Sequence, residues 1–407
     1  MTRPLDGLLV LDFSQYVAGP LATMLLSDLG ADVVKVERPG GDAYRHYDPV
    51  VPGQSRYFSS LNRGKRSVIC DLASPEGREL AAGLIARADA VVHNFLPARA
   101  EAFGLDAATV KRLNERAVVC AISAFGSVGP EAGTPGYDLI AQAVAGLLAA
   151  AAHPGQQVPE RLGRMPLADF TTGLLAAVAV LSGLLQRQRT PGAHDFEVSL
   201  LGASLTLQAQ QLATEQETTD RETGPSRRFD AQAMREQTAA RAAAAELEPF
   251  YRCYQTADAF IAVGCLDVAQ RRRLLATLDL ADPYVENPQR PAVDEQERSA
   301  RAALVREIES RLRVGPAAEW IARFTAAGVP VAEVRTLDAA AASAQARANG
   351  LVISLDQPGL GPTRLLGGVV KQGGEPLVTP RRAPDLGEHQ QELERLAAAG
   401  NRAEAAR

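Results

Sequence analysis

Asp169, in the run Ala168-Asp169-Phe170, stands just ahead of an apolar helical stretch from Leu174 to Leu185. A carboxylate placed there has two jobs open to it. It can cap the helix by accepting free backbone N–H groups, and the positive helix end favours its ionised form. With a reference pKa of about 3.9 it is charged at neutral pH, and it can attack a carbonyl once held close, partly desolvated and faced with N–H donors. Position alone favours the cap.

Other chemistries lack their residue patterns. The first strand-turn-helix carries Val17-Ala18-Gly19-Pro20 where a dinucleotide fingerprint needs GxGxxG. Walker A, HExxH and GxSxG are also missing, which removes the commonest phosphate-loop, zinc and serine-hydrolase readings. Cys70, Cys120, Cys253 and Cys265 are scattered, without a CxxC pair or a histidine at zinc-ligand spacing. No metal site is expected, and the cysteines read as reduced thiols of a cytoplasmic protein. Arg63-Gly64-Lys65-Arg66 is a charge run of the kind that usually forms a solvated face. Taken singly, Arg38 reads as a solvated loop residue and Phe95 as ordinary core.

These side chains need a frame, and the first half of the chain supplies one. Leu8 to Phe13 is a buried-strand run, Pro20 to Leu29 has helical spacing, and Ala31 to Glu37 is a second strand. Pro20 suits a first helical turn. Glu76 to Arg87 then reads as a helix, Ala90 to His93 and Ala117 to Ser123 as strands, and Asp138 to Ala152 as a helix. This repetition predicts an α/β, Rossmann-like large domain with a parallel sheet covered on both faces. Ligands gather at the carboxyl ends of such strands.

Glu215 to Glu248 is polar and reads as a linker followed by a helix over Ala239 to Leu247. Tyr254 to Phe324 combines a hairpin-like piece, Thr256 to Gly264, with charged helices, the pattern of a smaller α+β domain. Strand signals return at Val329 to Val334 and Leu351 to Leu355, before a helix from Glu388 to Ala399. Gly400 to Arg407 is expected to be disordered. The expected division is a large domain over 1–214, linker and helix over 215–248, a small domain over 249–327, and a return to the large domain over 328–407.

At 407 residues the chain exceeds one ordinary core. Apolar residues at 46% and charged residues at 22% are globular values. A net charge of −5 argues against a nucleic-acid partner. Leu174 to Leu185, about 12 residues, falls short of the roughly 20 that span a bilayer, and Met1 to Gly7 lacks the apolar run of a signal peptide, so no membrane association is expected.

Several segments, in order, carry a resemblance. They are Leu5-Asp6-Gly7 with Val10 to Phe13, Ala18-Gly19-Pro20, Leu29 to Asp42, Leu61 to Val68, Asp71-Leu72, Ser74 to Gly77, Asn94-Phe95 and Gly129-Pro130. Pro135 to Leu139, Ala141 to Ala143, Gly328 to Pro330 and Leu386 to His389 follow, and Gly173, Arg187 and Gly192 accompany Asp169. Over most of its length the chain resembles the class III CoA-transferases (the CaiB/BaiF, formyl-CoA transferase-like family), which include a racemase branch acting on 2-methylacyl-CoA.

The resemblance implies that Asp169 is a nucleophile. It moves CoA between an acyl-CoA thioester and a carboxylic acid through aspartyl anhydride and thioester intermediates, with no cofactor beyond the CoA substrate. It implies CoA contacts from Val17, Ala18, Arg38, Asp71, Leu72, Asn94, Phe95, Pro135, Gly136, Tyr137 and Asp138, with Arg38 on phosphate and Phe95 beside adenine. It also implies an interlocked homodimer whose site lies between the large domain of one chain and the small domain of the other.

Some positions depart from the family pattern. Ala102 replaces an arginine and Ala73 a lysine that some members carry, which removes two phosphate contacts; Arg99, Arg63, Lys65 and Arg66 are the candidate substitutes. Gly264-Cys265-Leu266-Asp267 stands where formyl-CoA transferase has a glycine lid. Tyr137 stands where the racemases have histidine, and a phenol with a pKa near 10 is a poor base, so transfer is preferred to racemisation. None of the five histidines lies in that motif; His389 is expected to pack or start a helix, and His153 to sit in a loop. The same fold could also serve an intramolecular CoA isomerase or a non-catalytic CoA-binding homologue. Asp169 opposes the non-catalytic role.

Overall fold

The computed structural model describes residues 2–51, 54–161, 163, 165–190, 192–213, 229–286 and 294–405. The chain divides into two units, Met1–Ala150 with Arg161–Asp220 and Ser343–Arg407, and Ala151–Glu160 with Arg221–Ala342.

The first unit is built on six strands, β1 (Leu9–Asp12), β2 (Asp32–Glu37), β3 (Arg66–Ile69), β4 (Ala90–His93), β5 (Val118–Ser123) and β6 (His194–Ser199). All pairs are parallel, in the order β3-β2-β1-β4-β5-β6. A parallel sheet covered on both faces needs apolar residues on both, which explains the unbroken Val and Leu runs. Leu11, Val34, Val91 and Val119 face a layer holding Leu84 and Leu393, from helices Pro75–Ile85 and Gln390–Ala405. Val10, Val33, Val92 and Val118 face α1 (Ala18–Asp28) and α3 (Leu167–Gln186) through Ala22, Leu26, Ala176 and Val180. Between them in sequence lies α2 (Asp138–Val144).

The strand order reverses between β1 and β4, and that switch point opens a crevice at the strand carboxyl ends. Asn94 ties the two loops there. Its Oδ1 accepts the Gln15 N–H at 3.0 Å, and its Nδ2 donates to the Gln15 carbonyl at 2.9 Å.

With 20 residues, α3 is longer than the 12-residue apolar run suggested, and by length and composition alone it could cross a bilayer. One of its faces packs into the core. Ala176, Ala177, Val180 and Leu184 are buried against the sheet. Gly173 lets it close on α1, because a Cβ there would sit 2.7 Å from the Ala18 carbonyl oxygen.

Three local expectations change. Asp138 to Ala152 is two helices, Asp138–Val144 and Leu147–Ala151, separated at Gly146, whose φ of +81° suits glycine. The last helix continues through Ala405, so the segment expected to be disordered is helical to that point. Helix Ala231–Glu246 is longer than Ala239 to Leu247; residues 215–228 of the expected linker lie outside the described residues.

In the second unit, strands Tyr251–Gln255, Phe260–Gly264 and Val331–Glu333 form an antiparallel sheet. Helices Val268–Leu278, Glu295–Leu312 and Ala317–Ala326 close its core around Ile261, Leu274, Ile308 and Phe324. Val331–Glu333, expected in the large body, therefore belongs here, because its ladder partner is Phe260–Gly264. The architecture is α/β with a smaller α+β unit.

Candidate active site

Asp169 is the third residue of α3, whose N-cap position is Pro166 with no side-chain cap of its own. The cap comes from α2. Asp138 Oδ1 accepts the N–H groups of Ala168 at 2.9 Å and Asp169 at 3.2 Å, and Oδ2 accepts from Gln142 Nε2 at 2.6 Å. The capping role that position alone assigns to Asp169 is thus performed by Asp138. This leaves the Asp169 side chain without that task.

That carboxyl is largely withdrawn from water and has the Asp138 charge nearby. Burial first and Asp138 second push its pKa up to about 7. Carboxyls perturbed in this way inside clefts are common at reactive centres.

Asp169 lines a cavity of about 520 Å³ together with Val17, Ala18, Asn94, Phe95 and the segment Pro135 to Asp138. A neighbouring cavity of about 360 Å³ is lined by Arg38, Asp71, Leu72, Phe95, Arg99 and Phe103. Gln15, Phe95 and Arg99 belong to both, so the two form one groove at the switch point. Every residue assigned to CoA from the sequence lies along it. Arg38 is exposed and donates from Nε to the Gly41 carbonyl at 3.0 Å. Asp71 is exposed and accepts the Ala73 N–H at 3.1 Å. Phe95 meets Phe103 edge-on at 5.3 Å, and the Arg99 guanidinium lies 5.1 Å from the Phe103 ring centre.

Val17 and Ala18 begin α1, which has no side-chain cap, and both line the groove, so the positive end of that helix lies at its wall. Pro135 and Tyr137 are exposed, while Gly136 packs so closely that a Cβ would lie 2.8 Å from Ala124 Cβ. Asn94 commits its amide to Gln15 and so shapes the groove wall.

The charge run behaves differently from either expectation. Arg63 is fully buried and bidentate on Asp28 at 2.6 and 2.7 Å. Lys65 Nζ donates to Asp12, Asn62 and the Pro20 carbonyl at 2.8–2.9 Å, and Arg66 pairs with Asp32 and Glu392. These cations form neither a solvated face nor a phosphate site. Burial works against the Asp12 charge, but Lys35 and Lys65 hold it well below the usual carboxylate range. Lys35 also meets Asp42 at 2.8 Å, and Asp42 Oδ1 accepts the N–H groups of Tyr16 and Tyr44.

A tyrosine cluster, of which only Tyr137 is assigned from the sequence, is the part of the site that sequence reasoning missed. Five of the chain's eight tyrosines join: Tyr137 meets Tyr16 and Tyr16 meets Tyr44 edge-on at 5.6 and 5.7 Å. Tyr44 stacks on Tyr47 at 5.4 Å, and Tyr57 meets both edge-on. Burial and then the Asp169 charge push Tyr44 up to about 12, so it remains a neutral phenol beside the carboxylate. Tyr16 takes φ +70°, a strained choice for a bulky residue of the kind stored at functional sites. The one signal in the sequence is the density of tyrosine at 44, 47 and 57.

Among the described residues no histidine lines the groove and no group of three or more metal-ligating side chains occurs. His389 Nδ1 accepts the Ser67 N–H and its own backbone N–H donates to the Ser67 carbonyl, fixing the approach to the last helix. Asp267, in the segment matched to the lid, caps Val268–Leu278.

Residues 5–390 match the family described as CoA-transferase family III. The chain belongs to that family. It is 30% identical over 391 residues to the succinyl-CoA:glutarate CoA-transferase of Mus musculus, covering 95% of this chain and 85% of that protein. It is 33% identical over 353 residues to the acetyl-CoA:oxalate CoA-transferase of Acetobacter aceti, covering 86% and 85%. The crystal structure of a CAIB/BAIF family protein from Brucella suis superposes with a TM-score of 0.75 at 29% identity, over 98% of this chain and 100% of that one. The protein is thus a class III CoA-transferase, an enzyme that moves CoA between an acyl-CoA and a carboxylic acid.

Proposed function

We propose that Asp169 is the acyl acceptor of this CoA-transferase. The observation that carries the reading is that Asp138 caps α3 in its place, leaving a half-buried carboxyl facing the groove. The carboxylate attacks the thioester carbonyl, a C–O bond forms, the C–S bond breaks, and CoA leaves as thiolate. The thiolate then attacks the aspartyl carbonyl of the mixed anhydride, giving an aspartyl-CoA thioester and the free donor acid. The acceptor acid repeats these steps in reverse order, which returns CoA to a new acyl group and Asp169 to its carboxylate.

Each residue contributes a physical term. Partial desolvation makes Asp169 a stronger nucleophile than a carboxylate in water. The uncapped start of α1 at Ala18 offers N–H donors to the oxyanion, and Tyr44 offers a neutral hydroxyl beside the carboxylate. Arg38 and Arg99 provide charge for the CoA phosphates, with Phe95 and Phe103 as an apolar platform. The reaction as written uses no resident cofactor and no metal ion.

The substrates in this reading are an acyl-CoA and a carboxylic acid, the two kinds of compound that the relatives' names contain. A homodimer is supported by α3, which exposes Phe170, Leu174 and Val178 at four-residue spacing, beside exposed Leu139, Ile140 and Val144 of α2. So much apolar surface calls for a cover, and a second copy supplies it. A cytoplasmic location is supported by the free thiols, of which Cys70, Cys120 and Cys265 are buried.

Transfer is tested by mixing the protein with a panel of acyl-CoA donors and isotope-labelled free acids, then following labelled thioesters by mass spectrometry. Labelled thioester formed at the expense of the donor is the expected result. Its absence throughout a broad panel would remove the intermolecular reading.

A further inference from the structure

Beyond Asp169 the groove opens into a third cavity of about 710 Å³, which shares Val17, Tyr44, Tyr47, Arg161 and Pro166 with the cavity that holds Asp169. The three cavities are thus linked in series, with Asp169 in the middle one. A thioester whose CoA portion occupies the first two, with its carbonyl at Asp169, must send its acyl group into the third. We propose that this third cavity is the acyl subsite and that the preferred donor carries an aromatic acyl group. This rests on Asp169 as the acyl acceptor.

The walls carry the chemistry. Tyr44, Tyr47 and Tyr57 contact one another at 5.2–5.8 Å, and Phe170, Leu61 and Met165 also face the space. Tyr47 and Tyr57 remain 55% and 39% exposed, so each offers ring surface that a substrate can cover. Aromatic rings gain from offset and edge-on partners at these separations, beyond the area they bury. A flat aryl group therefore recovers surface from several tyrosines at once. A short dicarboxylate makes a different demand, because its distal carboxylate needs charge-assisted donors in fixed geometry. Among the described lining residues Arg161 is the only cation, and Asp48 stands in the same wall as an opposing charge. The cavity is also large enough for a ring and a short spacer. In the covalent step the aryl-acyl carbon exchanges its bond to sulfur for one to an Asp169 oxygen. CoA leaves as thiolate, and no oxidant or reductant takes part.

Acyl preference is read without knowing the acceptor from the initial rate of CoA release by the full-length protein in hydroxylamine, which takes the acyl group from the anhydride as a hydroxamate, before modification of Asp169 itself accumulates. The donors are benzoyl-, phenylacetyl- and cinnamoyl-CoA against acetyl-, oxalyl- and succinyl-CoA. The expected result is a kcat/KM for the best aryl donor about tenfold or more above that for succinyl-CoA, the low end of what burying one ring provides. Tyr57→Leu should lower the aryl-to-acetyl ratio of kcat/KM by about tenfold, mainly through KM, and Tyr57→Phe should retain it. Equal losses for both donors in Tyr57→Leu would indicate a merely structural role and overturn the proposal. Release from oxalyl- or succinyl-CoA at or above the aryl rate would overturn the aromatic assignment while leaving Asp169 as acceptor. Silence with every donor would remove the Asp169 reading and the acyl subsite with it.

Discussion

Replacing Asp169 with asparagine should make the protein more stable at neutral and alkaline pH while abolishing transfer. Burial and the Asp138 charge move the Asp169 carboxyl from 3.8 to about 7 in the folded state. Below the lower value the group is protonated in both folded and unfolded chains and costs nothing. Between the two values only the unfolded chain ionises, so wild-type stability falls by about 1.4 kcal/mol per pH unit. Above about pH 7 both states are ionised, and the accumulated cost levels off at about 4 kcal/mol. Asp169→Asn lacks the titrating group and escapes this loss. Urea denaturation of both proteins from pH 4 to pH 9, at one protein concentration, reads the difference directly. A stability gap that opens across that window and then holds constant is expected. A gap independent of pH would refute the claim that Asp169 is buried against its charge.

Asp138→Asn keeps a side-chain oxygen for the α3 cap but removes the charge, so the rise of donor kcat/KM with pH should move to lower pH; an unmoved profile would mean that Asp138 does not tune Asp169. Arg99→Ala should raise KM for CoA donors by about tenfold or more, the loss of one charge-assisted contact, and barely affect donors truncated to pantetheine. Equal effects on both would place Arg99 outside the nucleotide end of the groove. Lys65→Met leaves Asp12 short of a buried cation and should cost about 3–5 kcal/mol in denaturant unfolding. A loss below about 1 kcal/mol, the scale of an exposed pair, would contradict the burial of that network.

What could be read from the chain follows from where each residue's partners lie. The strands of the sheet are legible because both faces are buried, so β1, β4 and β5 read as short, mainly apolar runs without alternation, whereas β2 alternates from Val34 to Glu37 and buries Lys35 and Glu37 in ion pairs. Val331–Glu333 is equally legible as a strand, but only its ladder partner Phe260–Gly264 says which sheet it joins. Asp169 is legible as important through the motifs around it, while its local role is not. The residue that caps α3 lies about thirty positions earlier, and nothing near Asp169 in sequence announces it. Arg63, Lys65 and Arg66 mislead for the same reason. Their partners Asp28, Asp12 and Asp32 come from α1, β1 and β2, so a local count of charge suggests solvent where the fold supplies counter-ions. The tyrosine cluster draws on four separate stretches, at Tyr16, at Tyr44 and Tyr47, at Tyr57 and at Tyr137, and their meeting beside the cavity that holds Asp169 exists only in three dimensions.

The most direct measurement is capture of the covalent intermediate. The protein is incubated with an acyl-CoA donor and hydroxylamine, digested, and mapped by mass spectrometry. A hydroxamate on the peptide carrying Asp169, dependent on donor and absent from Asp169→Asn, is predicted. Donor turnover with no hydroxamate at Asp169, or with one at another carboxylate, would contradict its role as the acyl acceptor.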